Sequence, residues 1–472
     1  MSALEPTQRR VLPWLVAVGF FMQTLDATIL NTALPSMARG LGESPLRMQA
    51  VIIAYTLTVA LFIPTSGYLS DRFGARVVFL GAIVLFSLGS LACALSPTLE
   101  ALILARVLQG VGGALLLPVG RLAILKSFPK GELLRVLSFV TIPGLIGPLV
   151  GPVLGGVLVE TLSWHWIFLI NLPVGLAGAI ATLLFMPELK EPPAPFDWVG
   201  FLLFGAGMVA VSFSLQALGE RALSVASSLL LLGTGLATMA AYWLHADRAE
   251  QPLFGRQLFA IHSYAVGLIG NLFARLGSGA MPFLTPLFLQ VALGFSPTEA
   301  GAFMVPSVLG AMASKAFVER VVSRLGYRRT LVTNTLLLGL CIWSFARLEP
   351  GVSAPELVVQ MFVFGAINSL QFTAMNTITL ADLPSASAGS GNALLSVVMQ
   401  LSMSLGVASA GALLLELAPK DQALAAGPAL ILPFHRTYAC IGVLGALAAI
   451  IFVQLRPEDG ASLRRVAAPL EG

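Results

Sequence analysis

The chain has 472 residues, of which 57% are hydrophobic and 11% charged, with a formal net charge of +4. Soluble domains carry about 25% charged residues, so a mean hydropathy of +0.88 excludes an ordinary soluble protein and indicates a polytopic membrane protein. The basic balance reads as Lys and Arg in cytoplasmic loops, not as a nucleic-acid surface.

Windows of about 20 apolar residues predict fourteen spans. They lie near 12–37, 48–69, 77–96, 99–125, 135–159, 164–186, 198–218, 224–245, 263–291, 297–319, 330–348, 356–379, 390–416 and 434–455. An even number puts both ends on one side. Seventeen of the 27 Lys and Arg fall on that side, Arg72, Arg76, Lys126, Arg464 and Arg465 among them, and six on the other, Arg39, Arg221 and Lys420 among them. The excess places both termini in the cytoplasm. The polar start and the length of the first apolar run argue against a cleaved signal peptide.

The first span carries an acid. Asp26, in VGFFMQTLDATILNTALPSM, sits about midway along it. A charge near the bilayer centre costs several kcal/mol and marks a functional site by default. Its hydrogen-bonding neighbours on the helix would be Gln23 or Asn31. Four bases, Arg106, Arg121, Arg275 and Lys315, also lie inside apolar runs. One buried acid among several bases suggests a proton- or substrate-handling site in a transporter.

After the second span comes Gly67-Tyr68-Leu69-Ser70-Asp71-Arg72-Phe73-Gly74-Ala75-Arg76, and after the tenth Ser323-Arg324-Leu325-Gly326-Tyr327-Arg328. Gly67 suits close helix packing and Gly74 a tight turn. The repeated hexamer indicates two parallel six-helix halves with two spans inserted between them. The divisions run 1–190, 191–250 and 251–472, and Asp26 and Arg275 occupy equivalent depths. In span 4 stands Leu104-Ala105-Arg106-Val107-Leu108-Gln109-Gly110-Val111-Gly112-Gly113-Ala114. Arg106 is roughly 9 Å from the midplane at 1.5 Å per residue, close enough for its side chain to reach Asp26. Span 5 holds Gly147-Pro148-Leu149-Val150-Gly151-Pro152-Val153-Leu154-Gly155-Gly156. Its glycines recur every four residues and make a smooth face for helix contact. Span 6 opens with Trp164-His165-Trp166-Ile167-Phe168-Leu169-Ile170-Asn171-Leu172-Pro173, a Trp pair suited to the outer interface.

No soluble domain fits between spans, and there is no GxxxxGK[ST] phosphate loop, so a secondary transporter is favoured over an ATP-driven pump. The absence of HExxH and GxSxG, and of a second intramembrane acid, argues against an enzyme. Cys93, Cys341 and Cys440 fall in apolar runs and read as core residues, not disulfides. The four histidines show no metal-ligand spacing.

Together these segments resemble the fourteen-helix drug:proton antiporter branch of the major facilitator superfamily, close to its MdtD-type multidrug-resistance transporters. The resemblance covers essentially the whole chain. It implies an all-α integral membrane protein of the major facilitator fold, with two six-helix bundles plus two extra helices. It implies a proton-coupled efflux antiporter of the bacterial inner membrane that works by alternating access, takes no cofactor and draws on the proton gradient. The expected partners are a small-molecule substrate, protons and the lipid bilayer, with no nucleic acid, and the expected state is a monomer. Asp26 would carry the proton and Arg106 would pair with it. Asp71 and Arg76 would form a charged latch, with Gly67, Arg72 and Gly74 shaping that gate. Gly147, Pro148, Gly151, Pro152, Gly155 and Gly156 match the antiporter motif.

Substrate charge is the open point. Arg106, Arg121 and Arg275 together suggest a basic cavity, and Gln23, Asn31, Asn368, Gln371 and Gln400 are candidates to line it. Exporters of lipophilic cations favour acids there. The alternative is therefore a specific exporter of an organic anion such as citrate or a metal–citrate chelate.

Overall fold

The computed structural model describes residues 5–192, 195–220, 223–384, 387–418, 427–456 and 458–460. Arg221, Lys420, Arg464 and Arg465, part of the charge bias, lie outside them. The helices are α1 (Pro6–Leu41), α2 (Gln49–Phe62), α3 (Thr65–Phe73), α4 (Ala75–Ala94), α5 (Leu99–Ser127), α6 (Lys130–Thr161), α7 (Trp166–Leu169) and α8 (Asn171–Phe185). They continue with α9 (Trp198–Glu220), α10 (Val225–Ala246), α11 (His262–Leu287), α12 (Pro297–Ser344), α13 (Ala354–Ala381), α14 (Ala388–Leu417), α15 (Ile431–Leu447) and α16 (Ala449–Phe452).

Local chemistry sets the helix ends. Thr98 accepts from the Ala101 N–H and starts α5, Ser224 accepts from Ser227 before α10, and Ser353 accepts from Glu356 before α13. Each hydroxyl satisfies a donor that the first turn leaves unpaired. At the other end of α1, Gly42 is left-handed at φ 69 and its N–H returns to Ala38 and Arg39, a geometry glycine adopts without strain.

Among the described residues, thirteen helices are long and apolar enough to cross a membrane. One of them holds two crossings. Helix α12 runs for 48 residues, with Gly326 at φ 75 and ψ 161 inside it. At 1.5 Å per residue that is about 70 Å, more than twice the ~30 Å hydrocarbon core. The tenth and eleventh spans are therefore distinct segments that join at the glycine of the repeated hexamer.

The chain forms two compact units: residues 1–196 with 289–305, and residues 197–288 with 306–472. The two inserted helices, α9 and α10, fall in the second unit, where α9 packs on α14. In the first unit, Leu12, Val16, Phe79, Phe86, Leu116, Ile124 and Met186 form the apolar core. In the second, Val266, Leu331, Met375, Ile378 and Phe452 do so. Leu104, Leu230 and Ile450 are 71%, 73% and 65% exposed, as expected of side chains that face lipid rather than water.

Candidate functional site

Asp26 is buried at the centre of the first unit, 1% exposed. Its carboxylate accepts three hydrogen bonds. Arg106 Nη1 on α5 donates to Oδ2 at 2.6 Å, Gln109 Nε2 on the same helix donates to Oδ1 at 2.8 Å, and Asn171 Nδ2 at the start of α8 donates to Oδ1 at 3.2 Å. Arg106, also 1% exposed, donates as well to Gln109 Oε1 at 2.6 Å and to the Val51 carbonyl at 3.4 Å. Its guanidinium lies over the Tyr55 ring of α2, 4.2 Å from the centroid. Ser90 Oγ on α4 accepts from both Gln109 Nε2 at 2.8 Å and Asn171 Nδ2 at 3.2 Å. Five helices thus converge on one ion pair. An ion pair removed from water is tolerable only when its remaining lone pairs and protons find partners, and this network gives partners to both carboxylate oxygens and to Nη1 and Nε of the guanidinium.

The neighbours expected along α1 are not the partners of Asp26. Asn31 donates to its own helix at Ala27 O, 3.3 Å away, and Gln23 is half-buried with Oε1 unpaired. Both are displaced by α5 and α8, which supply stronger or better-placed donors. Gln109, Asn171, Ser90 and Tyr55 were not singled out from sequence. The first two stand inside the quoted motif strings, but an uncharged amide in an apolar span gives no charge signal.

The basic cavity is also corrected in part. The charge of Arg106 is matched by Asp26, so it is not a free base. Arg121 is exposed and has no hydrogen bond or ion pair among the described residues. Arg275, in the second unit, is 4% exposed. It donates to Asn271 Oδ1 at 3.1 Å and to Asn376 Oδ1 at 3.3 Å, and stacks 3.7 Å over the Phe372 ring. No carboxylate among the described residues pairs with it. Gln371 is not a free lining residue: it accepts from Asn334 at 3.0 Å and donates to Thr335 at 2.7 Å, stitching α13 to α12. Asn368 has a buried, unpaired Oδ1, and Gln400 is half-buried on α14.

The glycine stripe of α6 packs on α1. A Cβ at Gly147 would meet Thr24 Oγ1 at 2.4 Å, one at Gly151 would meet Thr28 Oγ1 at 2.3 Å, and one at Gly155 would meet Ile29 O at 2.5 Å. Thr28 and Thr32 donate across the contact, to Gly147 O at 3.2 Å and Pro152 O at 3.1 Å. Pro148 and Pro152 lie within α6 without ending it. At Gly156 an added Cβ would meet Pro297 O at 2.4 Å, and Glu160 accepts from the Thr298 N–H at 2.9 Å. The start of α12 therefore rests directly on the end of α6 within the first unit.

At the α3–α4 turn the latch has a different partner. Asp71 pairs with Lys126 of α5 at 2.9 Å, while Arg76 donates to the Met186 carbonyl at 2.5 Å. The expected Asp71–Arg76 pair is replaced because residues 186–191 pass beneath the turn, where Ala75 N–H donates to Leu189 O at 3.1 Å. Gly74 is at φ 91, so the turn does require glycine. Around Gly67 an added Cβ would meet nothing within 4 Å, so close packing does not explain it here. Arg72 is hydrogen-bonded to Tyr68 and lies 5.8 Å from its ring centroid. The Trp pair divides its work. Trp166 is 46% exposed, as an interfacial anchor should be, while Trp164 is 7% exposed and packs on Gly40. His165 stacks on Trp164 at 3.8 Å.

Comparison with known proteins agrees with this architecture. MdtD of Serratia proteamaculans is 51% identical over 446 residues, 94% of this chain and 93% of that one. MdtD of Yersinia enterocolitica is 50% identical over 450 residues, 95% of each chain. Among solved structures, a POT family transporter in complex with 5-aminolevulinic acid superposes with a TM-score of 0.69 at 14% identity, covering 96% of both chains. A bacterial homologue of the human lysosomal transporter Spinster gives 0.67 at 14% identity, covering 98% of this chain and 100% of that one. Those two likenesses speak to the fold alone. The family model described as Major Facilitator Superfamily matches residues 16–407 and 268–468. With that family model matching most of its length and relatives of half-identical sequence over nearly all of it, the chain belongs to the major facilitator superfamily.

Proposed function

We propose that this protein is a proton-coupled efflux antiporter that exports small molecules across the bacterial inner membrane by alternating access, with both termini cytoplasmic. The observation that carries the proposal is the ion pair of Asp26 and Arg106 at 2.6 Å, both 1% exposed, inside membrane-spanning helices. A carboxylate held there is costly unless it is used, and its guanidinium partner has a reason to move when the carboxylate is neutralised. The proton gradient supplies the energy, and Asp26 carries the proton. The MdtD relatives are named as candidate multidrug resistance proteins, which supports a broad small-molecule range. The test is uphill efflux from proteoliposomes with an imposed pH gradient. Asp26→Asn should abolish pH-driven transport while leaving counterflow, and full pH-driven activity in that variant would refute the assignment.

A second reading concerns the substrate. Arg275 is buried with two amides and one aromatic ring for company and no acid among the described residues. A buried cation without a counter-ion favours an anion at that place. This supports an organic anion such as citrate, or its metal chelate, over a lipophilic cation. Arg275→Ala should abolish export of such anions and spare cationic drugs; the reverse pattern would dismiss the anion.

A further inference from the structure

Gln109 touches both members of the ion pair with opposite ends of one amide. Its Oε1 accepts from Arg106 Nη1 at 2.6 Å, and its Nε2 donates to Asp26 Oδ1 at 2.8 Å and to Ser90 Oγ at 2.8 Å. The orientation is dictated by charge. A guanidinium offers only donors, and an ionised carboxylate offers only acceptors. Each end of the amide therefore has one permitted direction while Asp26 is ionised. Building on the reading of Asp26 as the proton carrier, we infer that Gln109 is a positioning residue that relays protonation of Asp26 to Arg106 by turning its amide over.

The argument follows the inventory of donors and acceptors. A proton from the aqueous side that settles on Asp26 Oδ1 makes a neutral acid, and the O–H formed there is a donor. It faces Gln109 Nε2 and Asn171 Nδ2, both donors. Two donors cannot share a hydrogen bond, and an unmade buried hydrogen bond is expensive. Turning the Gln109 amide by half a turn resolves the clash, because Oε1 then accepts from the new O–H. Ser90 hydroxyl can rotate to donate to the same oxygen. The cost falls on Arg106. Its Nη1 now meets an N–H₂ group and, in place of a carboxylate, a neutral acid. What remains for it is the neutral Oδ2 carbonyl of Asp26, the Val51 carbonyl at 3.4 Å and the Tyr55 ring at 4.2 Å. One proton on Asp26 thus takes the Gln109 acceptor from Arg106 and reduces its ion pair to a hydrogen bond with a neutral carbonyl, and the loosened guanidinium is available to a substrate or to a new helix arrangement.

The surroundings leave this switch little competition. The titratable and charged groups that face Asp26 are Arg106 on α5, Tyr55 on α2 and Cys93 on α4, whose Sγ lies 3.8 Å from Gln109 Oε1. Helix α8 has no ionisable side chain, and neither has α6 between Val136 and Val159. Without Gln109, no N–H₂ group would be turned toward Arg106, its hydrogen bond to the neutral Asp26 carbonyl would stand unopposed, and the pair would stay together. The amide is what turns protonation into separation.

The experiment is infrared difference spectroscopy of the purified full chain in lipid nanodiscs, stepped from alkaline to mildly acidic buffer, and it needs no transported compound. In the wild type, a carboxylic-acid band should appear together with a shift of an arginine guanidinium band. Asp26→Asn should remove both; a carboxylic-acid band that survives this change, or never appears in the wild type, refutes the proton-carrier reading itself. Gln109→Met should keep the carboxylic-acid band and lose the guanidinium shift. Gln109→Leu, which offers neither donor nor acceptor, should likewise leave Arg106 on Asp26 and abolish that shift. If the guanidinium shift persists in these variants while the acid band still depends on Asp26, the relay is wrong and the proton site stands.

Discussion

Lys126 Nζ lies 2.9 Å from Asp71 Oδ1, and 3.1 Å from Glu191, so the acid of the α3–α4 turn is tied to the end of α5 rather than to the arginine five residues along its own chain. The pair is partly open, with side chains 19% and 28% exposed. Such pairs contribute about 0.2–1 kcal/mol. A double-mutant cycle of Asp71→Asn and Lys126→Gln, read by thermal unfolding in detergent, should give a coupling in that range. The same cycle with Arg76→Gln should give essentially none, because Arg76 is engaged with the Met186 carbonyl. A larger coupling to Arg76 would restore the latch expected from sequence.

Arg106 and Arg275 make opposite predictions for stability although both are buried cations. Truncating Asp26 to Ala leaves Arg106 uncompensated and should destabilise by about 3–5 kcal/mol, the usual penalty for breaking a buried pair from one side. Arg275→Met removes a charge that has no acid partner among the described residues, and fills similar volume. It should leave the apparent Tm unchanged or raised. A large loss in Arg275→Met would mean that Asn271, Asn376 and Phe372 repay its desolvation in full.

These contrasts mark where the sequence was readable. Hydropathy predicted fourteen spans, and the described helices supply thirteen apolar enough to cross, one of them long enough for two crossings, because burial in lipid is a composition effect. The repeated hexamer marked the turn at Gly326 but read as a loop between two spans, whereas it lies inside the 48-residue α12. Asp26 and Arg106 were legible because charges in apolar runs are conspicuous. Gln109, Asn171 and Ser90 were not, since neutral polar groups are common in such spans and only packing decides which of them meet. Lys126 was missed for another reason. Local spacing offered Arg76 to Asp71, and the partner actually used is 55 residues away. Gln371 and Trp164 were misread for the same cause, as the sequence shows neither Thr335 nor Gly40 beside them.

Backbone-to-backbone contact should separate the glycines. A Cβ at Gly156 would sit 2.4 Å from Pro297 O and 2.6 Å from Thr298 Cα, and one at Gly301 would sit 2.2 Å from Pro152 O. Neither neighbour can rotate aside, so Gly156→Ala and Gly301→Ala should each destabilise by about 1–3 kcal/mol, typical of overpacking, and slow transport. Gly67→Ala should be near-neutral, within about 0.5 kcal/mol, because open space surrounds it. Thermal unfolding and transport rate on the same preparations check both. Loss of transport without loss of stability in Gly67→Ala would show that this glycine packs closely in another conformation.

The two inserted helices offer a prediction in acid. Asp197, in the turn before α9, accepts from Gly200 N–H at 2.8 Å, Leu253 N–H at 3.1 Å and His245 Nε2 at 2.7 Å. Burial pushes its carboxyl up, but the hydrogen bonds outweigh it and hold the group below its ordinary value. A carboxyl whose value is depressed on folding contributes stability above its unfolded pKa, near 3.9, and loses it as pH falls through the folded value. The knot therefore stays whole through neutral and mildly acidic pH and loosens only in strong acid. Asp197→Ala should lower stability by about 1–3 kcal/mol at neutral pH, since it orphans the cap of α9 and the Leu253 N–H together. Its deficit against the wild type should shrink as pH drops below about 4. A deficit constant down to strong acid would mean that the ionised carboxylate does not hold α9, α10 and the chain leading to α11 together.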